Sequence, residues 1–238
     1  MTVSAPTWQL QENIASVQLP FLTGSIDVQE PQQGILLTSL LQREMHLRWH
    51  GLQIPTQPQS IHLDSFARVN DLVAHYAETP QTRLRTELVW RIVECEPQIV
   101  YVEQIISAQT SFLDSDPGVK TTFSMPSGEW LHWSATDGST SELDSSRPAA
   151  YQFAAGAVLL RSQDVSFALI TRATDTSGLQ IEQVGGGSLA TLDLFGGRIE
   201  KGVIRRGQVG ILACNGDDDL AILQSVHSRF AAAPPPLN

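Results

Sequence analysis

Arg83-Leu84-Arg85-Thr86-Glu87-Leu88-Val89-Trp90-Arg91-Ile92-Val93 is the stretch on which the architecture turns. Successive side chains of a strand point to opposite faces. Thr86, Leu88, Trp90 and Ile92 then share one face, and Arg85, Glu87, Val89 and Arg91 share the other. Residues 98–107 sort in the same way, with Val100, Val102 and Ile106 on one side and Tyr101 and Glu103 on the other. If the two strands pair as a hairpin, one sheet face carries Arg85, Glu87, Arg91, Tyr101 and Glu103. Such a face is either the polar floor of a groove, set by charge-assisted hydrogen bonds, or a solvated charge ladder. A ladder contributes only about 0.2–1 kcal/mol per pair.

The same period extends outward in both directions. Alternation and β-branched enrichment predict strands over 34–49, 66–78, 121–123, 129–134, 152–161, 166–173, 179–183, 188–194, 198–206 and 207–213. Between them lie turn signals such as Asp116-Pro117-Gly118, Pro126-Ser127-Gly128, Thr136-Asp137-Gly138 and Gly185-Gly186-Gly187. About a dozen short strands with no crossover helices predict a mainly β fold, a large antiparallel β-sandwich of supersandwich size. Only the C-terminus breaks the pattern. Asp217, Asp218 and Asp219 offer an N-cap and an acidic first turn, and Leu220, Leu223, Val226 and Phe230 recur at helical spacing. One C-terminal α-helix is expected over 219–232, followed by a frayed tail at 233–238. The Ser/Thr/Asp-rich stretch 134–148 reads as a flexible polar loop. With similar strands on both sides of it, residues 1–238 read as a single domain.

Composition narrows the classes of function. Among 238 residues 42% are hydrophobic and 17% charged, enough apolar material for a packed core. Lys+Arg number 15 against 25 Asp+Glu, a net charge of −10, and lysine occurs only at Lys120 and Lys201. A chain so acidic lacks the positive footprint that nucleic acid requires. Its longest apolar run, around 154–160, is far shorter than the roughly 18 residues of a membrane span. No nucleic-acid or membrane partner is therefore expected. The opening 15 residues carry no basic segment followed by an apolar one, so a cytoplasmic location is expected, with Cys95 and Cys214 as reduced thiols.

Other constellations are weaker. Trp130-Leu131-His132-Trp133 places Trp130 and His132 on one strand face beside the polar loop. An indole there is either a stacking platform for a ligand or part of the core. His46 and His50 are four apart in a segment that reads as strand, without a carboxylate-flanked metal motif. Gly185-Gly186-Gly187-Ser188 lacks the Gly-Lys-Ser/Thr ending of a phosphate loop and reads as a hairpin turn. No nucleophile elbow, cofactor fingerprint or paired Cys-x-x-Cys occurs, so no cofactor, metal or catalytic residue is assigned. Residues 199–209 alternate again, with Gly207 as a turn or bulge. Glu200, Lys201, Arg205 and Arg206 there suggest the rim of a site or a solvated hairpin.

The strand-rich length, the aromatic patches and the terminal hairpin 198–213 resemble large antiparallel sandwiches of the galactose-mutarotase-like type. That resemblance implies the fold of sugar epimerases and of sugar-binding or accessory domains. The family's catalytic His pair and Glu match no positions here, so no catalytic residue is carried across. Three readings follow. The first is a non-catalytic recognition protein for a carbohydrate-like or other polar ligand, bound by Arg85, Glu87, Arg91, Tyr101, Glu103, Trp130 and His132. The second is a structural protein that self-associates through a sheet edge. The third is an epimerase- or lyase-like enzyme, which would need a pocket gathering a His, an Arg and a carboxylate.

Overall fold

The computed structural model describes residues 7–54, 61–115, 118–143, 156–163 and 165–234. Alternating apolar and polar side chains run through most of them, and the backbone follows that period. The first strands are β1 Trp8–Gln11, β2 Ile14–Leu19, β3 Leu22–Asp27, β4 Ile35–Leu40 and β5 Arg43–Trp49. There follow β6 Gly51–Gln53, β7 His62–Arg68, β8 Asp71–Tyr76, β9 Arg85–Glu96 and β10 Ile99–Gln109. Next are β11 Asp114–Ser115, β12 Lys120–Pro126, β13 Glu129–Ser134, β14 Thr140–Glu142 and β15 Gly156–Ser162. The last are β16 Val165–Thr171, β17 Thr176–Val184, β18 Gly187–Leu194, β19 Ile199–Glu200 and β20 Ile204–Asn215, before α1 Asp219–Ala232.

Nine strands form one wide sheet in the order β14-β13-β15-β16-β20-β10-β9-β8-β7. Against it lie a five-stranded sheet, β1 to β5, and a four-stranded sheet in the order β17-β18-β12-β6. A small ribbon joins β11 to β19, and the strand pairs are antiparallel throughout. The layers meet in a continuous core that takes Trp8, Val17 and Trp49 from one side and Trp90, Val102 and Leu169 from the other. Trp49 meets Phe167 edge-on across the gap at 6.2 Å, and the Tyr76 hydroxyl donates to the Val28 carbonyl at 2.7 Å. The mainly β sandwich with one C-terminal helix is thus the observed architecture.

Strand boundaries needed correction where turns carry unusual residues. The 34–49 segment is the hairpin β4–β5, turned at Leu41 and Gln42 with φ of 50° and 61°. The 66–78 segment is likewise the hairpin β7–β8, turned at Val69 with φ of 51°. Gly207 is neither turn nor bulge; it lies inside β20, where a Cβ would meet the Phe195 ring at 3.0 Å. Of the stretch 134–148, residues Thr140–Glu142 pair with β13 as β14, and 144–148 lie outside the described residues.

The helix covers only half of the wide sheet's outer face. Leu223, Val226 and Phe230 pack on Leu131, Trp133, Leu159, Ala168, Ile170 and Leu212 from β13, β15, β16 and β20. Asp219 stands as the acidic residue of the first turn, as the sequence suggested, whereas Asp218 occupies the N-cap without a side-chain cap bond. Asp219 accepts from Arg161 at 2.7 and 3.0 Å and from Ser166 at 2.8 Å, tying the first turn to β15 and β16. At the other end Arg172 donates to the carbonyls of Phe230 and Ala233, both at 3.0 Å, where the helix dipole favours a cation. Ala233 and Pro234 are thereby placed, while 235–238 of the expected tail lie outside the described residues.

Burial alone would raise the Asp219 carboxyl, but the hydrogen bonds from Arg161 and Ser166 outweigh it and hold the group below its ordinary value. This anchor is therefore in place above the unfolded carboxyl's pKa and is lost as pH falls through the lower, folded one. Arg161→Met should cost about 1–3 kcal/mol, because it leaves a buried carboxylate short of its donors. Hydrogen exchange should then quicken in 219–232 and stay unchanged in β9 and β10; equal protection of the helix in variant and wild type would refute the anchor.

Candidate functional site

Beside the helix the outer face of the wide sheet stays open over β7 to β10 and the near part of β20, and a groove of about 700 Å³ lies there with Val226, Arg229 and Phe230 of α1 along one side. Its floor is set by register. β9 and β10 pair so that Arg91 faces Glu103, Val89 faces Ile105 and Glu87 faces Ser107. β8 continues the rows, with Asp71 beside Arg91, Val73 beside Val89 and His75 beside Glu87. β7 adds Arg68, Phe66 and Asp64 to the same three rows, and β20 adds Gly210, Gln208 and Arg206. The outcome is a striped surface. One polar row runs Arg68, Asp71, Arg91, Glu103; an apolar row runs Phe66, Val73, Val89, Ile105; a second polar row runs Asp64, His75, Glu87, Ser107, Arg206. Same-face residues are about 6.7 Å apart along a strand, so the polar rows lie about 13 Å apart.

Within each polar row the groups orient one another. Arg91 grips Asp71 with Nε and an Nη2 hydrogen at 2.8 and 3.0 Å, leaving its other N–H groups for a ligand. The Tyr101 hydroxyl donates to Glu103 Oε1 at 2.9 Å, and Glu103 is itself only 7% exposed. Burial, then the Glu103 charge and hydrogen bond, push the Tyr101 phenol well up, so it stays a donor. The Tyr101 ring lies across β20 over Gly210, where a Cβ would sit 2.4 Å from its hydroxyl; only glycine leaves room.

In the second row His75 bridges two carboxylates, Asp64 through Nδ1 and Glu87 through Nε2 at 3.0 Å. Burial pulls the imidazole down, but the carboxylates outweigh it and raise its pKa, favouring imidazolium. Glu87 also lies 3.9 Å from Arg206, whose Nε donates to Ser107 at 2.7 Å. The groove is therefore bounded by fixed donors and acceptors with an apolar strip between them.

No protein-family model and no curated protein matches this chain. Among solved structures, a protein described as a kojibiose phosphorylase from human microbiome covers 98% of this chain at 8% identity and a TM-score of 0.47. A heparinase III covers 69% at 10% identity and a TM-score of 0.37. The chain spans about a third of the first protein (34%) and 23% of the second. Likenesses this slight carry no argument about function.

Of the residues singled out in the sequence, Glu87, Arg91, Tyr101 and Glu103 line the groove together. Arg85 lies on the same face of β9 and lines a smaller adjoining hollow with His75, Glu87 and Arg206. Trp130 and His132 are not with them. Trp130 is 2% exposed inside the core between the sheets, and half-buried His132 lies four strands from β10. The indole therefore packs the core and offers no stacking surface. His46 is exposed and His50 fully buried, and no cluster of three metal-ligating side chains occurs among the described residues. Arg206 of the basic-leaning cluster does reach the site, whereas Arg205 donates to the Gly196 carbonyl at an exposed position.

Phe66, Asp71, Val73, His75, Gln208 and Phe230 were not foreseen as site residues. A single strand over 66–78 hides the cross-strand pairing of β7 with β8. Recognising the turn at Val69-Asn70 would have put Phe66, Val73 and His75 beside β9.

Proposed function

We propose that this protein is a non-catalytic recognition module for a carbohydrate-like ligand, bound in the striped groove of the wide sheet. The observation that carries the reading is the apolar row Phe66, Val73, Val89, Ile105 flanked on both sides by prearranged ion pairs and hydrogen-bonding groups. A sugar ring has apolar faces and a polar rim. Lying on the strip, it buries a face on the valines and turns hydroxyls toward Arg91 and Glu103 on one side and Glu87 and Arg206 on the other. Groups already fixed by partners lose little freedom on binding, which favours affinity. The resemblance to galactose-mutarotase-like sandwiches agrees with a sugar ligand.

Glycan-panel binding tests the reading. Wild type should bind at least one class of neutral or acidic glycan, and Arg91→Ala should weaken that binding at least about tenfold. A wild-type protein that binds no glycan would end it. One observation favours a second reading, an epimerase- or lyase-like enzyme in the same groove: His75, Glu87 and Arg206 gather in one place, with His75 Nε2 3.0 Å from Glu87. Proton NMR of a bound glycan separates the two, since turnover abolished by Glu87→Gln would make the site catalytic.

A further inference from the structure

The apolar strip has two unlike ends. At β7 it finishes on Phe66, which is 45% exposed and lies beside the His75 ring at 6.2 Å between centroids. At β20 it finishes on Gln208, whose side-chain oxygen accepts from Arg172 at 2.6 Å. Arg172 also lies 4.5 Å over the Phe230 ring and donates to the Phe230 and Ala233 carbonyls. Phe230, Ala233 and Pro234 line the groove here, so the last turn of α1 and its exit form a wall. A cation over an aromatic face, with two charge-assisted bonds to the helix end, makes that wall stiff. From β7 to β20 are four strand spacings, about 19 Å. The strip is thus several sugar units long and one ring wide, open at Phe66 and blind at Gln208.

We propose that the groove receives the end of a linear oligosaccharide, with the terminal unit against Gln208 and Phe230 and the outgoing chain leaving over Phe66. The inference rests on the carbohydrate reading above and adds to it a direction and a polymer class. Passage of an uninterrupted chain would require Phe230 to leave its packing and Arg172 to break its bonds to the helix end. A chain end needs neither. Phe66, exposed at the mouth, offers a flat apolar face to the first unit that emerges, as aromatic side chains do where one side is dry and the other wet.

Calorimetric titration with xylan, pullulan, mixed-linkage β-glucan and polygalacturonate tests this, each intact and after partial acid hydrolysis, at equal mass. The polymer class that binds should do so at least about tenfold better after hydrolysis, because ends have multiplied while composition is unchanged. Phe66→Ala, at an exposed position that leaves the core untouched, should weaken trisaccharides and longer fragments about fivefold and leave the monosaccharide unaffected. Intact polymer binding as well as its hydrolysate, or Phe66→Ala weakening the monosaccharide equally, would overturn the end-on mode while leaving carbohydrate recognition intact. Binding by neither polymers nor hydrolysates would overturn both.

Discussion

Acidification from about pH 7 to about pH 4 should cost this fold about 3 kcal/mol through His50 alone. His50 is fully buried and meets the Phe123 ring edge-on at 4.8 Å. Burial draws its pKa down to about 3, against the smaller upward pull of the Val102 backbone and the Gln104 side chain. The unfolded chain takes up a proton near the ordinary histidine value of about 6.5, and the folded protein does so only far below it. The stability is therefore complete above the unfolded pKa and lost as pH falls toward the folded one, at about 1.4 kcal/mol per pH unit. His227, half-buried against Trp133 and lowered by burial, acts in the same sense. His75 acts in the opposite one, because its raised pKa gives stability that is present at low pH and lost as pH rises through the folded value. Urea unfolding of wild type and His50→Gln across this range isolates the effect. The variant should lose most of the slope between about pH 6 and pH 4, and parallel curves would show that His50 does not cause it.

The second large effect belongs to the groove floor. Arg91→Met should destabilise the protein by about 2 kcal/mol, since Asp71, 8% exposed, then lacks its bidentate donor. Part of the Arg91 side chain is solvent-accessible, which keeps the figure below that of a fully buried pair. Combining Arg91→Met with Asp71→Asn should return much of the stability, because Asp71 no longer carries a buried charge without its donor, while glycan binding stays lost. A double-mutant cycle in thermal unfolding and in binding reads the two outcomes separately. Binding that returned along with stability would show that Arg91 supports the floor without touching the ligand.

The hairpin β9–β10 was legible in the sequence because its alternation is strict and its two faces differ sharply in chemistry. Trp90 and Ile92 against Arg91 and Glu87 admit one orientation, and a slip of one residue would bury the charges. The helix was equally legible from Leu220, Leu223, Val226 and Phe230. Turns built from Leu41-Gln42 and Val69-Asn70 were not, because leucine and valine rarely adopt positive φ; Leu41 is buried in the core there, whereas Val69 is exposed and its carbonyl accepts from the Thr7 amide at 2.8 Å. Strands β1 to β3 escaped notice as well, although Leu22, Gly24 and Ile26 alternate with Thr23 and Ser25. Trp130 misled because a tryptophan beside a polar loop looks the same in sequence whether its indole faces inward or outward. His75 was hidden for another reason: its two carboxylate partners, on β7 and β9, become neighbours only after three strands align.

Since the stripes run across the strands, the groove floor is a matrix whose columns are strands and whose lines are chemical types. Each of β7, β8 and β9 supplies one side chain to every line at alternate positions, and the inward Leu72 and Ala74 of β8 and Leu88 and Trp90 of β9 fix those two columns in the core. A change in the apolar line therefore edits a single cell without re-registering the sheet, whereas one in a polar line also unseats the neighbour it orients.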